Sequence, residues 1–146
     1  MPNRIHVAFV AGLLATAAFG IAQTAPVIKD VPVKPTSPAS GKQMYNAYCA
    51  VCHGADGRGG GPAAAALTSH PTNLAELARE NGGKFPEAQI YSVLQFGVET
   101  PAHGSKDMPV WGPALRSLDR GSNSSQMLEH QRLANLTSYL KTLQQQ

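Results

Sequence analysis

The chain has 146 residues, of which 42% are hydrophobic but only 6% aromatic, and a formal net charge of +3. That length suits one domain with extensions, and the scattered charge excludes the dense basic stripe of a nucleic-acid binder. With alanine the commonest apolar residue and few aromatics, the core is thin for a small domain, so a disulfide, a metal or a cofactor is expected to supplement it.

The first element is a targeting segment. Arg4 and His6 make a short basic start, and Val7 to Ala22 is an uncharged apolar run of 16 residues. Gly20 and Ala22 are small residues at the −3 and −1 positions before Gln23, which predicts a secretory signal over residues 1–22. The rival is an uncleaved anchor, but a bilayer span takes ~20 apolar residues, so cleavage is favoured. Without Arg4 the chain keeps 11 basic and 9 acidic residues, a charge of +2. Residues 23–39 hold four prolines and are predicted to be an extended linker.

The folded domain is expected over residues 40–146, and nothing in it reads as a β-strand. Ser40 is placed to cap a helix running through "GKQMYNAYCAVC". Residues 54–62 form a glycine-rich loop. Thr72 to Glu80 reads as a short helix capped by Thr72 or Asn73. A third helix reads through "PEAQIYSVLQFG", with Pro86 in its first turn and Gly97 just past its end. Residues 98–113 are punctuated by Pro101, Gly104, Pro109, Gly112 and Pro113 and read as loop. A last helix from about Ser124 to Leu143 carries Leu133, Leu136, Leu140 and Leu143 on one face.

The chain's two cysteines lie in Cys49-Ala50-Val51-Cys52-His53. A redox dithiol would want a βαβ setting, which the pattern lacks. A structural zinc site would want four donors at matching spacing. A plain disulfide leaves His53 unexplained. Cys-x-x-Cys-His as a unit is the attachment signature of c-type haem. Two thiols at i and i+3 share a helix face and suit the two vinyl groups of one porphyrin, and His53 follows as an iron ligand. Export agrees with this reading, and so does the thin core, because the macrocycle is itself a large apolar centre.

With "GKQMYNAYCAVCHG", "DGRGGGPAAAAL", "KDMPVWG" and "LANLTSYLKTL" in that order, residues 40–143 resemble the class I mono-haem cytochrome c family. The resemblance implies an all-α domain wrapped around one haem c, held covalently through Cys49 and Cys52 with His53 on the iron. It implies Met108, 55 residues after His53, as the sixth ligand, since the family's axial methionine sits in such a Met-Pro loop. Thioether ligation favours ferrous iron. The rivals for that place are His103, His70 and an open site, while Met44 and Met127 read better as core fillers. In the family a proline carbonyl orients the proximal histidine, and Pro62 is the matching residue here. The glycines before Pro62 are expected to let backbone run close to the haem edge. Gly41 and Tyr45 are expected to pack on Tyr139 of the last helix. Trp111 reads equally as core or as a propionate donor. Arg58, Lys84 and Lys106 read as solvated surface charges.

The function implied is one-electron transfer rather than catalysis. The protein would be an exported, periplasmic carrier, or the haem subunit of a larger oxidoreductase, docking transiently on dehydrogenase, oxidase or respiratory partners. An open or exchangeable sixth site would instead mean peroxidase chemistry or gas binding.

Overall fold

The computed structural model describes residues 33–97 and 108–145. The expected signal segment, residues 23–32 of the linker, and the stretch bearing His103 and Lys106 lie outside these residues. Among the described residues the regular structure is all helical, with no strand, and these residues fall in one unit spanning Val31–Gln146. No described helix is long and apolar enough to cross a membrane.

The first helix is built from three consecutive segments. Gly41–Met44 is α-helical, Tyr45–Cys49 is a π-helix, and Ala50–His53 is α-helical again. Ser40 caps its start by accepting from Gln43 N–H. The π segment changes the helical register and ends on Cys49, the first of the cysteine pair, a placement such bulges often take near functional sites. Gly54, at φ +79, ends the helix.

Thr72 to Glu80 is shorter and tighter than predicted. Leu74–Glu76 is a 3₁₀ turn and Leu77–Glu80 an α-helical turn, with the Asn73 side chain as cap. Glu87–Phe96 begins one residue later than predicted, with Pro86 outside it as the cap, and is stopped by Gly97 at φ +82. A helix over Trp111–Arg116 falls partly in the stretch expected to be loop. Gly112 and Pro113 occupy its first turn, where a missing proline N–H removes no helical bond. The terminal helix spans Ser125–Thr142.

The first helix crosses the terminal helix at Gly41. A Cβ there would lie 2.1 Å from the Asn135 carbonyl oxygen and 2.8 Å from Tyr139 Cβ, so only glycine allows the approach. Tyr45 packs tilted against Tyr139, with ring centroids 5.4 Å apart. Met44, Tyr45, Leu94, Leu115, Leu133, Leu136 and Leu140 fill the core. Met44 is fully buried, but Met127 is exposed, because it lies off the leucine stripe of the terminal helix.

That stripe is not purely apolar. Glu129, Arg132 and Thr137 are also buried on it. Glu129 pairs with Arg116, and Arg132 reaches Asp119 at 3.3 Å. These pairs tie the terminal helix to the end of the Trp111–Arg116 helix.

The last residues of the expected linker lie on the domain rather than hanging from it. Tyr48 Oη donates to the Lys34 carbonyl at 2.6 Å and lies 2.8 Å from the Thr36 hydroxyl. Arg132 donates to the Thr36 carbonyl at 2.7 Å, and Asn135 to the Pro38 carbonyl at 2.9 Å. Val33 packs against the core. Prolines leave this strap no strand ladder, so its carbonyls are taken up one by one by side chains.

Candidate functional site

Cys49 and Cys52 are both free thiols; Cys49 is buried and Cys52 half-buried. Burial, and secondarily the neighbouring Cys52, pushes the Cys49 thiol up to about 12. His53 closes the same helix. Its Nδ1 lies 3.0 Å from the Thr72 carbonyl oxygen. A carbonyl only accepts, so Nδ1 carries the hydrogen and Nε2 keeps its lone pair. Burial pushes the His53 pKa down, and the bond to Thr72 opposes that push. A neutral ring with a fixed tautomer is the form that binds a metal.

The orienting carbonyl therefore differs from the one expected. The resemblance puts Pro62 in that role, but Pro62 is exposed and His53 Nδ1 donates to the Thr72 carbonyl. The reason is where the glycine-rich loop goes. Gly59, Gly61 and Ala63 donate backbone N–H groups to the carbonyls of His53, Cys52 and Val51, at 2.8, 3.1 and 2.9 Å. The loop thus folds back along the attachment helix and satisfies its last carbonyls. Pro62 lies inside that return and has no N–H to give. The chain then reaches His53 again only at Pro71-Thr72.

Two glycines make this return possible. A Cβ on Gly61 would lie 2.4 Å from the Val51 oxygen and 2.6 Å from both the Ala50 oxygen and the Cys52 carbonyl carbon. Gly59, at φ +88, passes so close to Pro71 that a Cβ would lie 2.5 Å from its carbonyl oxygen. The glycines therefore serve contacts of backbone with backbone. Gly57 extends the lock by accepting from Leu74 N–H at 2.7 Å. On the far side of the same turn, Tyr45 Oη donates to the Gly54 carbonyl at 2.6 Å.

Met108 is half-buried and packs against the core cluster. It is followed by exposed Val110 and then by buried Trp111, which opens the next helix. Trp111 stacks on Tyr48, with centroids 5.6 Å apart and planes 23° from parallel. Core packing is thus the role seen for Trp111. His70 is exposed, beside Gly59. Arg58 pairs with Asp56 at the surface, and Lys84 is exposed.

The donor chemistry fits a haem. Two unbridged thiols flank one helical turn, the adjoining imidazole is neutral with Nε2 available, and a thioether sits at the core's edge. Among the described residues no three His, Cys, Asp or Glu side chains converge as a metal cluster would require. Thr72 and the buried charges of the terminal helix are what sequence reasoning missed. Asn73-Leu74 after Thr72 signalled a cap, but nothing local signalled a carbonyl aimed at His53. Glu129 and Arg132 do show a signal, since both share the helical face of Leu133 and Leu136.

The family model for cytochrome c oxidase, cbb3-type, subunit III, matches residues 36–120, more than half of the chain. No curated protein matches it.

Proposed function

Because this chain belongs to the c-type cytochrome family described by cbb3-type oxidase subunit III, we propose that it is an exported mono-haem cytochrome passing single electrons between respiratory or dehydrogenase partners. Membership makes it an electron-transfer haem protein, and haem c supplies the iron that cycles between ferric and ferrous states. In this reading Cys49 and Cys52 hold the haem covalently, His53 is the proximal ligand and Met108 the sixth. The cytochrome domain begins near Ser40, behind a cleaved signal over residues 1–22 and the Pro-rich segment.

The observation that carries the site assignment is the His53 Nδ1 bond to the Thr72 carbonyl. It holds the ring on one tautomer and aims Nε2 away from the backbone. The return of residues 59–63 along the helix fixes the turn bearing both cysteines and His53, the residues that would hold the haem. Met108 is supported by its place against the core, directly before Pro109, which stiffens the loop. If His53 and Met108 both held the iron, no place would be left on it for a substrate, which favours transfer over catalysis.

The family's description as an oxidase subunit favours work within or beside an oxidase complex. A carrier whose charge is only +2 without the signal gains little from electrostatic steering, which agrees with docking near a fixed partner. The test is fractionation of the native protein from its own cells, followed by haem staining and pull-down. Co-purification with an oxidase or dehydrogenase supports the subunit role. A haem-bearing protein found only free in the exported fraction sinks it and leaves the carrier. A protein without covalent haem sinks both.

A further inference from the structure

We propose that residues 33–38 are a working part of the redox domain. They form a strap that, through Tyr48 and Trp111, positions the loop bearing Met108. The inference rests on Met108 as the sixth ligand. It goes beyond that assignment by giving a role to a segment that reads as mere tether.

The chain of contacts is continuous. The strap is fixed at three carbonyls: Lys34 by Tyr48, Thr36 by Arg132 and Pro38 by Asn135. Tyr48 is buried at 8% exposure, so its hydroxyl has few alternatives to the strap. The Thr36 hydroxyl, 2.8 Å away, is a second partner. With its hydroxyl held on one side, the Tyr48 ring presents a face on which Trp111 stacks at 5.6 Å. Trp111 begins the Trp111–Arg116 helix, three residues after Met108. Val110, between them, is 43% exposed and lies beside Gly97, where an added Cβ would meet its Cγ2 at 2.9 Å. The Met108 loop is held at this end by the indole together with Met108's own packing on the core and Val110 beside Gly97.

Tyr48 immediately precedes Cys49, so the contact also joins the attachment side to the methionine side. Losing the Lys34 and Thr36 bonds frees the Tyr48 hydroxyl and loosens the surface that holds Trp111. Tyr48 is thus a positioning residue for Met108. It ligates nothing itself.

The test compares the oxidised holoprotein as exported with three changes: Tyr48→Phe, Tyr48→Leu, and a chain lacking residues 23–38. Tyr48→Phe keeps the stack and removes the hydroxyl. Tyr48→Leu removes both, and the shortened chain leaves position 48 untouched. Tyr91→Phe is the control, since it breaks only the distant Tyr91–His130 bond. Imidazole is titrated into each while the methionine-to-ferric-iron band is followed. The expected result is imidazole binding tighter by roughly three- to tenfold in Tyr48→Phe and in the shortened chain. That range corresponds to losing about one net hydrogen bond at the strap. A further gain is expected in Tyr48→Leu, with Tyr91→Phe unchanged. A wild-type band combined with unchanged affinity in the shortened chain and in Tyr48→Leu overturns the strap inference alone. An equal gain in Tyr91→Phe also overturns it, because general loosening would then explain the effect. A wild type lacking the band overturns the Met108 assignment and the strap with it.

Discussion

Gly60 and Gly61 are neighbours of the same residue type, yet the structure assigns them opposite tolerances. A Cβ on Gly61 would sit 2.4–2.6 Å from the backbone of Ala50, Val51 and Cys52, while one on Gly60 meets nothing within 4 Å. Gly61→Ala must push the loop off the attachment helix. That breaks the bonds from Gly59, Gly61 and Ala63 to the carbonyls of His53, Cys52 and Val51. At about 1 kcal/mol net per bond, the loss is roughly 3 kcal/mol. For a domain of this size, about 4 °C per kcal/mol gives a fall of about 12 °C in melting temperature. Gly60 is not at positive φ, so Gly60→Ala is neutral or raises stability by about 0.5 kcal/mol through the unfolded chain. The assay is thermal unfolding of the oxidised protein by circular dichroism at matched haem content. A Gly61→Ala variant melting within about 2 °C of wild type would refute the reasoning, because the loop would then not be locked to the helix.

Met108→Ala should abolish the methionine-to-ferric-iron band and lower the reduction potential, read by spectroscopy and redox titration. Retention of the band would move the sixth ligand elsewhere. Arg132→Leu removes the bonds to Thr36 and Asp119 from a residue only 3% exposed. It should lower unfolding free energy by about 2 kcal/mol in urea, with earlier proteolysis of residues 33–38, and an unchanged midpoint would contradict the role given to Arg132. Tyr45 is fully buried, and burial, followed by Cys49, Tyr139 and Asp56, raises its phenol pKa to about 12. A folded pKa above the unfolded value near 10 gives stability that is full below about pH 10 and lost as pH rises toward 12. Tyr45→Phe should therefore trail wild type by about 1 kcal/mol at pH 7, for the lost bond to Gly54, and the gap should narrow above pH 10. A constant gap across that range would remove the phenol from the account.

The helical class and the cysteine–histidine turn are legible in the sequence because both are local. Ser40, Pro86 and Gly97 mark helix ends through their own backbone preferences, and the leucine stripe marks the terminal helix. Three features depend on where distant chain returns. Thr72 reaches His53 only because the glycine loop doubles back, so matching by motif chose Pro62. Gly112 and Pro113 look like loop punctuation but sit in a helix's first turn, where proline does no harm. The strap reads as linker because its bonds come from Tyr48, Arg132 and Asn135, residues 14 to 97 positions away. The π segment over Tyr45–Cys49 left no compositional trace at all.

The most direct test of the central claim is the intact mass of the protein purified from an exporting host able to mature c-type cytochromes, with the Cys49→Ser/Cys52→Ser double variant alongside. The account predicts a polypeptide carrying the mass of one haem, retained on a denaturing gel with haem-dependent peroxidase staining, and neither signal in the double variant. An exported wild-type chain of unmodified mass, with two titratable thiols, would contradict it.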